Sequence, residues 1–232
     1  MAEASGASPE LVDPVLVDPV LVDPVLVDPV LVDPTPVDPV LVDPVLVDPV
    51  ALALTWLPGN DEAERPQVTL STLATDGWPD ARTVLLSSAG PEGFCFHTDA
   101  NSRKVAQLLA DPRAVITVLW PGFTRQLVVA GHAEPVSAAA LTSAYRARSP
   151  YLQQLAWQNT AQFAQLPKDE QRRRWAAFAA ESGEQFDQPS NWTGFVIRPT
   201  RLAFWQSNPD TASERREYTR AGDGWALERL PG

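Results

Sequence analysis

From residue 67 onward apolar and polar side chains alternate along short runs that end in turn residues. In "QVTLSTLATDGWPDARTVLLSSAGPEGFCFHTD" (67–99) the alternation predicts strand, Asp-Gly turn, strand, Gly-containing turn and strand, an antiparallel meander. "RAVITVLWP" (113–121) and "RQLVVAGHAEPV" (125–136) predict two further strands, and "WTGFVIRPTRLAFWQ", "RREYTRA" and "GWALERL" predict strands that close the chain. Helical spacing replaces the alternation in four places. "VALALTWLPGN" is a short helix-like segment, "NSRKVAQLLADP" (101–112) has Ser102 as its cap and Pro112 as its stop, and "SAAALTSAYRARS" and "KDEQRRRWAAFAAES" follow. In the second of these the apolar face is expected to be Val105, Leu108 and Leu109. Hairpin-linked strands with a few helices outside them predict a mainly β protein, a small closed or partly closed antiparallel barrel.

The first fifth of the chain obeys another rule. "LVDPVLVDPVLVDPVLVDPV" runs from Leu11 to Val30, and the same five-residue unit continues to Val50 with one break at Thr35-Pro36. Proline at every fifth position removes a backbone donor and biases the preceding Asp away from helix, so a regular helix is excluded and extended or polyproline-like backbone is the natural state. A disordered low-complexity tail over residues 1–47 is therefore expected, followed by one folded domain over 48–232. A semi-rigid spacer or docking arm is the functional alternative for the tail.

Removing the tail changes the electrostatic picture. Residues 1–50 hold ten of the 29 acidic side chains and no Lys or Arg, which leaves 19 acidic against 18 basic residues in the rest. The net charge of −11 thus belongs mostly to the repeat, and the domain shows no basic footprint for nucleic acid. The single Cys95 excludes an intramolecular disulfide framework and a multi-cysteine metal site, and suits a reducing cytosol. No membrane-spanning run and no secretory leader are read, so a cytoplasmic protein without a metal is expected.

One local conflict points to a ligand. Arg103 and Lys104 fall in the first turn of a helix, where the macrodipole disfavours cations. A bound anion resolves the conflict, because free N–H groups at a helix start together with Arg and Lys form a phosphate site. Two solvated basic side chains are the bland reading.

Seven segments in order, "RTVLLS" (82–87), "GFCFHTDANSRK" (93–104), "DPRAVITVLW" (111–120), "RQLVVAGHAEPVS" (125–137), "WTGFVIRP" (192–199), "AFWQ" (203–206) and "GWALERLPG" (224–232), resemble the pyridoxamine 5'-phosphate oxidase family. The resemblance covers essentially all of residues 48–232. It implies an FMN-binding split β-barrel that forms a homodimer with flavin at the subunit interface. It implies an FMN-dependent oxidase chemistry in which a small-molecule substrate gives hydride to flavin N5 and oxygen reoxidises the flavin. By matching position, Arg82, Thr83, Val84 and Leu85 line the flavin edge, with His97 and Thr98 beside them. Arg103 and Lys104 hold the FMN phosphate, Gln126 bonds the isoalloxazine, and Trp205 and Arg215 complete the site. No residue is assigned as catalytic, since the flavin carries the chemistry. On the residues alone, Thr83, Val84 and Leu85 read equally as strand core and Trp205 as a buried aromatic. His97, at a flavin-contact position, is placed to tune the flavin potential, whereas His132 reads as a strand-surface or dimer-contact residue. The family also begins its folded domain with Asp-Pro followed by Trp-Leu, which here is "DPVALALTWL" (48–57); the eighth Asp-Pro is thus the domain's own start.

The substrate positions depart from the family. Its phosphate-binding Lys is Ser87, its Tyr aligns with Ala144 beside Tyr145, its Arg is kept as Arg148, and that residue's Ser partner aligns with Leu152. The C-terminal signature reads "TASER", placing Thr211 and Ser213 where the family has Arg and His, while its Gln-Ser pair maps onto Ala161 and Gln162. The pattern implies a retained FMN site and a rewritten substrate site, an oxidoreductase acting on a less anionic small molecule in specialised metabolism. The alternatives are a genuine pyridoxamine 5'-phosphate oxidase, with Tyr145, Arg146 and Arg148 compensating, and a flavin-binding protein without turnover. In more distant split-barrel relatives F420 or haem replaces FMN.

Overall fold

The computed structural model describes residues 47–62, 65–182 and 186–232. The expected disordered tail lies outside the described residues up to residue 46.

The last Asp-Pro opens the first helix, α1 (Pro49–Trp56). The Asp48 carboxylate accepts the Val50 N–H at 3.0 Å, and Pro49 occupies a first-turn position where its missing donor costs nothing. A dipeptide that excludes helix when repeated is thus a helix start when it occurs once before "VALALTW". Val50, Ala53 and Leu57 are buried in the main core.

The meander follows as β1 (Gln67–Leu73), β2 (Pro79–Gly90) and β3 (Gly93–Asp99). After α2 (Arg103–Ala110) come β4 (Arg113–Leu119) and β5 (Arg125–Pro135), joined by a 3₁₀ turn at Pro121–Phe123. Four helices, α3 (Ala138–Arg146), α4 (Pro150–Gln158), α5 (Ala161–Ala164) and α6 (Lys168–Ser182), precede β6 (Trp192–Gln206), β7 (Glu214–Ala221) and β8 (Gly224–Pro231).

The strand order is β3-β2-β1-β4-β5-β6-β7-β8, and a further β3–β6 pairing closes the first six into a barrel. Closure depends on the length of β6. Its first half, 192–197, pairs with β3, and its second half, 201–206, pairs with β7. The register along β5 shifts between Ala130 and Gly131; a side chain at Gly131 would run into the Arg198 carbonyl, so glycine is required at that irregularity.

Register also explains the core. Leu70, Ile116, Val129, Leu202 and Tyr218 lie opposite one another across β1, β4, β5, β6 and β7, and all are buried. Each such aliphatic side chain contributes about 1.5–3 kcal/mol by leaving water. The alternate residues of the same strands face outward, which is the period-two pattern of the sequence made physical.

Two expectations need correction. Leu109, assigned to the apolar face of α2, is 68% exposed, and Gln107 is buried instead. Its amide is satisfied by a polar network under the helix, so a polar side chain takes an apolar position without an unpaired group. The helices α4 and α5 were absent from the expected elements. Ser149 caps α4 by accepting the Leu152 N–H, with Pro150 in the first turn, but the helix buries Gln153, Gln154 and Gln158 and leaves Leu152, Leu155 and Ala156 only partly covered. Its polarity is inverted.

Candidate functional site

A cleft of about 910 Å³ opens between β2, β3, the start of α2, the helix α4 and the first residues of β6. The barrel brings the middle of β2 beside the end of β3, so Thr83, Val84 and Leu85 line one wall and His97 and Thr98 the next. Arg103 and Lys104 stand at one end of the cleft, and Arg148 enters it from the segment between α3 and α4.

The α2 end has the features of an anion cradle. Ser102 precedes the helix but makes no side-chain cap bond, so the first-turn donors are not capped by it. Lys104 Nζ donates to Thr98 Oγ1 at 3.1 Å. Burial, reinforced by Arg82 and Arg103, pushes the Lys104 ammonium below its ordinary range, with Asp99 acting in opposition. Asp99 itself is occupied, accepting from the Asn101 N–H at 2.8 Å and from Asn191 Nδ2 at 2.9 Å. An anion here would offset both the desolvation of Lys104 and the repulsion from its cationic neighbours.

Arg82, expected at the flavin edge, is placed otherwise. Its guanidinium donates to Thr72 Oγ1 at 2.6 Å and to Gln107 Oε1 at 2.8 Å, and pairs with Asp80 at 2.8 Å. Gln107 Nε2 donates to Asp80 at 2.9 Å, and Arg103 bridges the same carboxylate at 2.9 Å. Gln107, then Arg82 and Arg103, hold the Asp80 carboxyl below the usual range against its desolvation. The network ties α2 to β1 and β2 and fixes where Arg103 stands. Arg82 therefore braces the start of α2 from β2 and is not among the residues that line the cleft.

The other end is aromatic and mostly uncharged. His97 stacks on Trp192 with ring centroids 5.1 Å apart and planes 8° from parallel, and its Nδ1 shares a hydrogen bond with Ser87 Oγ at 2.8 Å. Gly194 lies opposite His97 in the β3–β6 pair, and a side chain there would press on the imidazole ring. The Arg148 guanidinium lies over the Trp192 ring at 4.4 Å. Burial pushes Arg148 down to about 10, and its Nε is buried with no acceptor among the described residues.

Burial, with Arg148 adding to it, pushes His97 down to about 4. The folded protein holds this ring neutral where an unfolded chain, titrating near 6.5, would protonate it. The stability that comes from the neutral ring is complete above about pH 6.5 and is lost as pH falls toward 4. In His97→Phe, which keeps a ring against Trp192, the drop in thermal midpoint between pH 7 and pH 4.5 is expected to shrink relative to the parent, by the equivalent of roughly 2 kcal/mol. Equal drops in the two proteins would contradict the placement.

The remaining expected residues divide between the cleft and other faces of the chain. Gln126, Trp205 and Arg215 are directly opposite one another across β5, β6 and β7. They alternate with core residues Leu127 and Phe204, so they form a half-exposed row on the outer face. None of them lines the cleft. Thr211 and Ser213 lie in the connection that leads into Arg215, also away from it. Tyr145 is buried, and its hydroxyl donates to the Asp187 carbonyl at 2.8 Å; Arg146 is exposed on α3. Leu152, Ala161 and Gln162 do line the cleft. Sequence reasoning missed Tyr151, Leu155, Ala156 and Trp192. The Ser149-Pro150 helix start was the available signal for the first three.

Residues 61–206 match the model of the family described as pyridoxamine 5'-phosphate oxidase. Residues 192–231 match the pyridoxine 5'-phosphate oxidase C-terminal dimerisation region. The chain is 35% identical over 178 residues to a pyridoxine/pyridoxamine 5'-phosphate oxidase of Thermosynechococcus vestitus, covering 75% of this chain and 84% of that one. It is 37% identical over 175 residues to the protein of the same name from Salinibacter ruber, covering 73% and 81%. Among solved structures, PhzG from Burkholderia lata 383, in complex with tetrahydrophenazine-1-carboxylic acid, superposes with a TM-score of 0.69 at 24% identity, covering 80% of this chain and 93% of that one. A pyridoxamine 5'-phosphate oxidase-related, FMN-binding protein from Nostoc punctiforme gives 0.57 at 18% identity, covering 72% and 88%. The chain belongs to the pyridoxamine 5'-phosphate oxidase family, a family of split-barrel flavoproteins. No described helix is long and apolar enough to cross a membrane.

Proposed function

We propose that the protein is an FMN-dependent oxidoreductase whose flavin lies between two copies of the chain, and whose substrate is a small molecule other than a pyridoxine phosphate. The observation that carries the reading is the partly desolvated Lys104 beside Arg103 at the start of α2, opening into a cleft large enough for a flavin. These residues fit a phosphate: the first-turn donors and the two cations supply the charge-assisted hydrogen bonds that a phosphate accepts. Thr83, Val84 and Leu85 offer a strand edge for the flat ring, and His97 and Thr98 border it. Bound FMN would supply the two-electron chemistry, with oxygen as the final acceptor.

The outer row of Gln126, Trp205 and Arg215 gives the reason for two chains. It presents an amide, an indole and a guanidinium away from its own cleft, within or next to the matched dimerisation region. In a homodimer the row of one chain completes the cleft of the other. The chain's own residues then bind the phosphate from one subunit and orient the ring from the other. The folded unit is residues 48–232, and deletion of Leu11–Val45 is expected to leave FMN affinity unchanged; loss of flavin from the truncated protein would contradict that boundary.

The relatives named as pyridoxine/pyridoxamine 5'-phosphate oxidases favour a second reading, in which this chain oxidises the same phosphates. Leu152 in the cleft wall, and Ser87 hydrogen-bonded behind the cleft-lining His97, argue for the first. Purified protein is expected to carry about one FMN per chain and to release peroxide only slowly with pyridoxamine 5'-phosphate or pyridoxine 5'-phosphate. Rapid turnover at micromolar phosphate substrate establishes the second reading instead, and a chain that binds no FMN defeats both.

A further inference from the structure

Three separate features of the sheet build the Ser87–His97 pair. Between β2 and β3 the register runs from Leu86 opposite Phe96 to Ser88 opposite Cys95, so Ser87 is an extra residue with no partner across the pair. Such a bulge turns its side chain out of the regular alternation, and here it sets Ser87 Oγ 2.8 Å from His97 Nδ1. Gly194 lies across from His97 on β6, where a Cβ would come within 2.5 Å of the ring, and the Trp192 indole lies nearly parallel to the imidazole. The ring is thereby held in one orientation, and it lines the cleft while Ser87 does not.

What the ring offers the cleft follows from where its proton sits. Burial and Arg148 push His97 down to about 4, so at neutral pH the imidazole has one N–H and one lone pair. Among the described residues the Ser87 hydroxyl has no other hydrogen-bond partner, and His97 Nε2 has none at all. If Nδ1 carried the proton, the Ser87 O–H and the Nε2 lone pair would both lack a protein partner. With the hydroxyl donating to Nδ1, the one donor left over is the Nε2 N–H. That nitrogen is not sealed inside the protein as Trp192 Nε1 and Arg148 Nε are. The hydrogen bond at one ring nitrogen thus sets the state of the other, and the remaining N–H is open to the cleft.

We propose that Ser87 is a positioning residue that locks His97 as the Nε2–H tautomer, and that this N–H is the cleft's neutral donor to a carbonyl-type oxygen of the bound ligand. A neutral N–H in a desolvated cleft polarises such an oxygen without giving up its proton. An ammonium, which has no lone pair, cannot accept from it. The oxygen is supplied by the flavin ring or by the substrate. The tautomer rests on the geometry of β2, β3 and β6, and only the choice of ligand rests on the FMN reading. Ser87 then acts behind the histidine and not on a substrate phosphate.

Two-bond hydrogen–nitrogen NMR correlation on the full chain, grown with isotope-labelled histidine, tests this. The sequence has two histidines, so His132→Gln assigns the signals. At neutral pH His97 is expected to show a pyridine-type Nδ1 and a pyrrole-type Nε2; the opposite pattern, or two averaged nitrogens, overturns the lock. Ser87→Ala is expected to bring averaging and Ser87→Thr to keep the parent pattern, with the His132 signals as the check on folding. Unchanged nitrogens in Ser87→Ala would show that the serine positions nothing, and if that variant misfolds the parent spectrum alone decides. FMN alone, then benzamide added to the FMN-loaded chain, separates the two sources of oxygen. The Nε2 proton is expected to move downfield with the first if the flavin supplies it, and only with the second if the substrate does; no move with either overturns the donor role. Benzylamine is expected to leave the proton in place, and a downfield move equal to that with benzamide would also overturn it. Flavin content is read separately from the visible spectrum, so a chain without flavin counts against the cofactor reading, while its tautomer and its response to benzamide still test the proposal.

Discussion

Replacing Arg103 and Lys104 together by alanine is expected to weaken FMN binding by about two to four orders of magnitude. Hydrogen bonds to charged groups contribute about 1.5–3 kcal/mol each, and every 1.4 kcal/mol is tenfold in affinity. The fold should survive. Arg103 is 79% exposed, and its bridge to Asp80 is a surface ion pair of small net value, while Asp80 keeps Arg82 and Gln107 as partners. Lys104 gives up a hydrogen bond to Thr98 and relieves its own desolvation. Titration of the apoprotein by flavin fluorescence measures the loss, with circular dichroism as the check on folding. An affinity within threefold of the parent would mean that the phosphate is held elsewhere.

The second large effect is on stability. Leu202 is fully buried, with Val129 on one side, Tyr218 on the other and Phe204 two residues along the same face. Leu202→Ala removes three carbons' worth of contact at the strand that both closes the barrel and carries the β7–β8 hairpin. Such truncations cost about 2–5 kcal/mol, and for a domain of this size each 1 kcal/mol lowers the thermal midpoint by about 2–4 °C. A fall of roughly 5–15 °C is expected in a calorimetric scan of the FMN-free protein, whereas a change below 2 °C would show that Leu202 does not sit in the packed centre.

The barrel was legible because its strands are half-buried. Alternation survives wherever one face meets the core and the other does not, and residues such as Leu70, Ile116 and Val129 recur at that period. Closure by β3–β6 was not legible, since nothing local in "GFCFHTD" or "WTGFVIRP" states that the two runs pair. Arg103 and Lys104 stood out in the sequence because two cations at a helix start conflict with the helix dipole. The fate of Arg82 was hidden. A guanidinium lying opposite Leu70 in the β1–β2 register is drawn beneath α2 by Asp80 on its own strand together with Thr72 on β1 and Gln107 on α2, which only the fold brings to it. The helix α4 escaped for the reason that makes it informative. Its apolar residues turn to the cleft and its glutamines turn inward, so periodicity pointed at no core. Ser149-Pro150 alone marked its start.

The resemblance-based assignments divide along the same line. Cleft residues are brought together by one chain, while Gln126, Trp205 and Arg215 form a separate outer row. If flavin is held between subunits, neither half suffices, and a lesion in one half can be rescued by a lesion in the other. The most direct measurement is therefore complementation between Arg103→Ala/Lys104→Ala and Arg215→Ala. Each variant alone is expected to hold little FMN. Unfolded and refolded together, they form mixed dimers in which one site combines an intact cleft with an intact row, so about a quarter of all sites should recover tight FMN binding. Recovery near that fraction is the result this account predicts; no recovery, in mixed dimers verified to have formed, would contradict a flavin site shared between two chains.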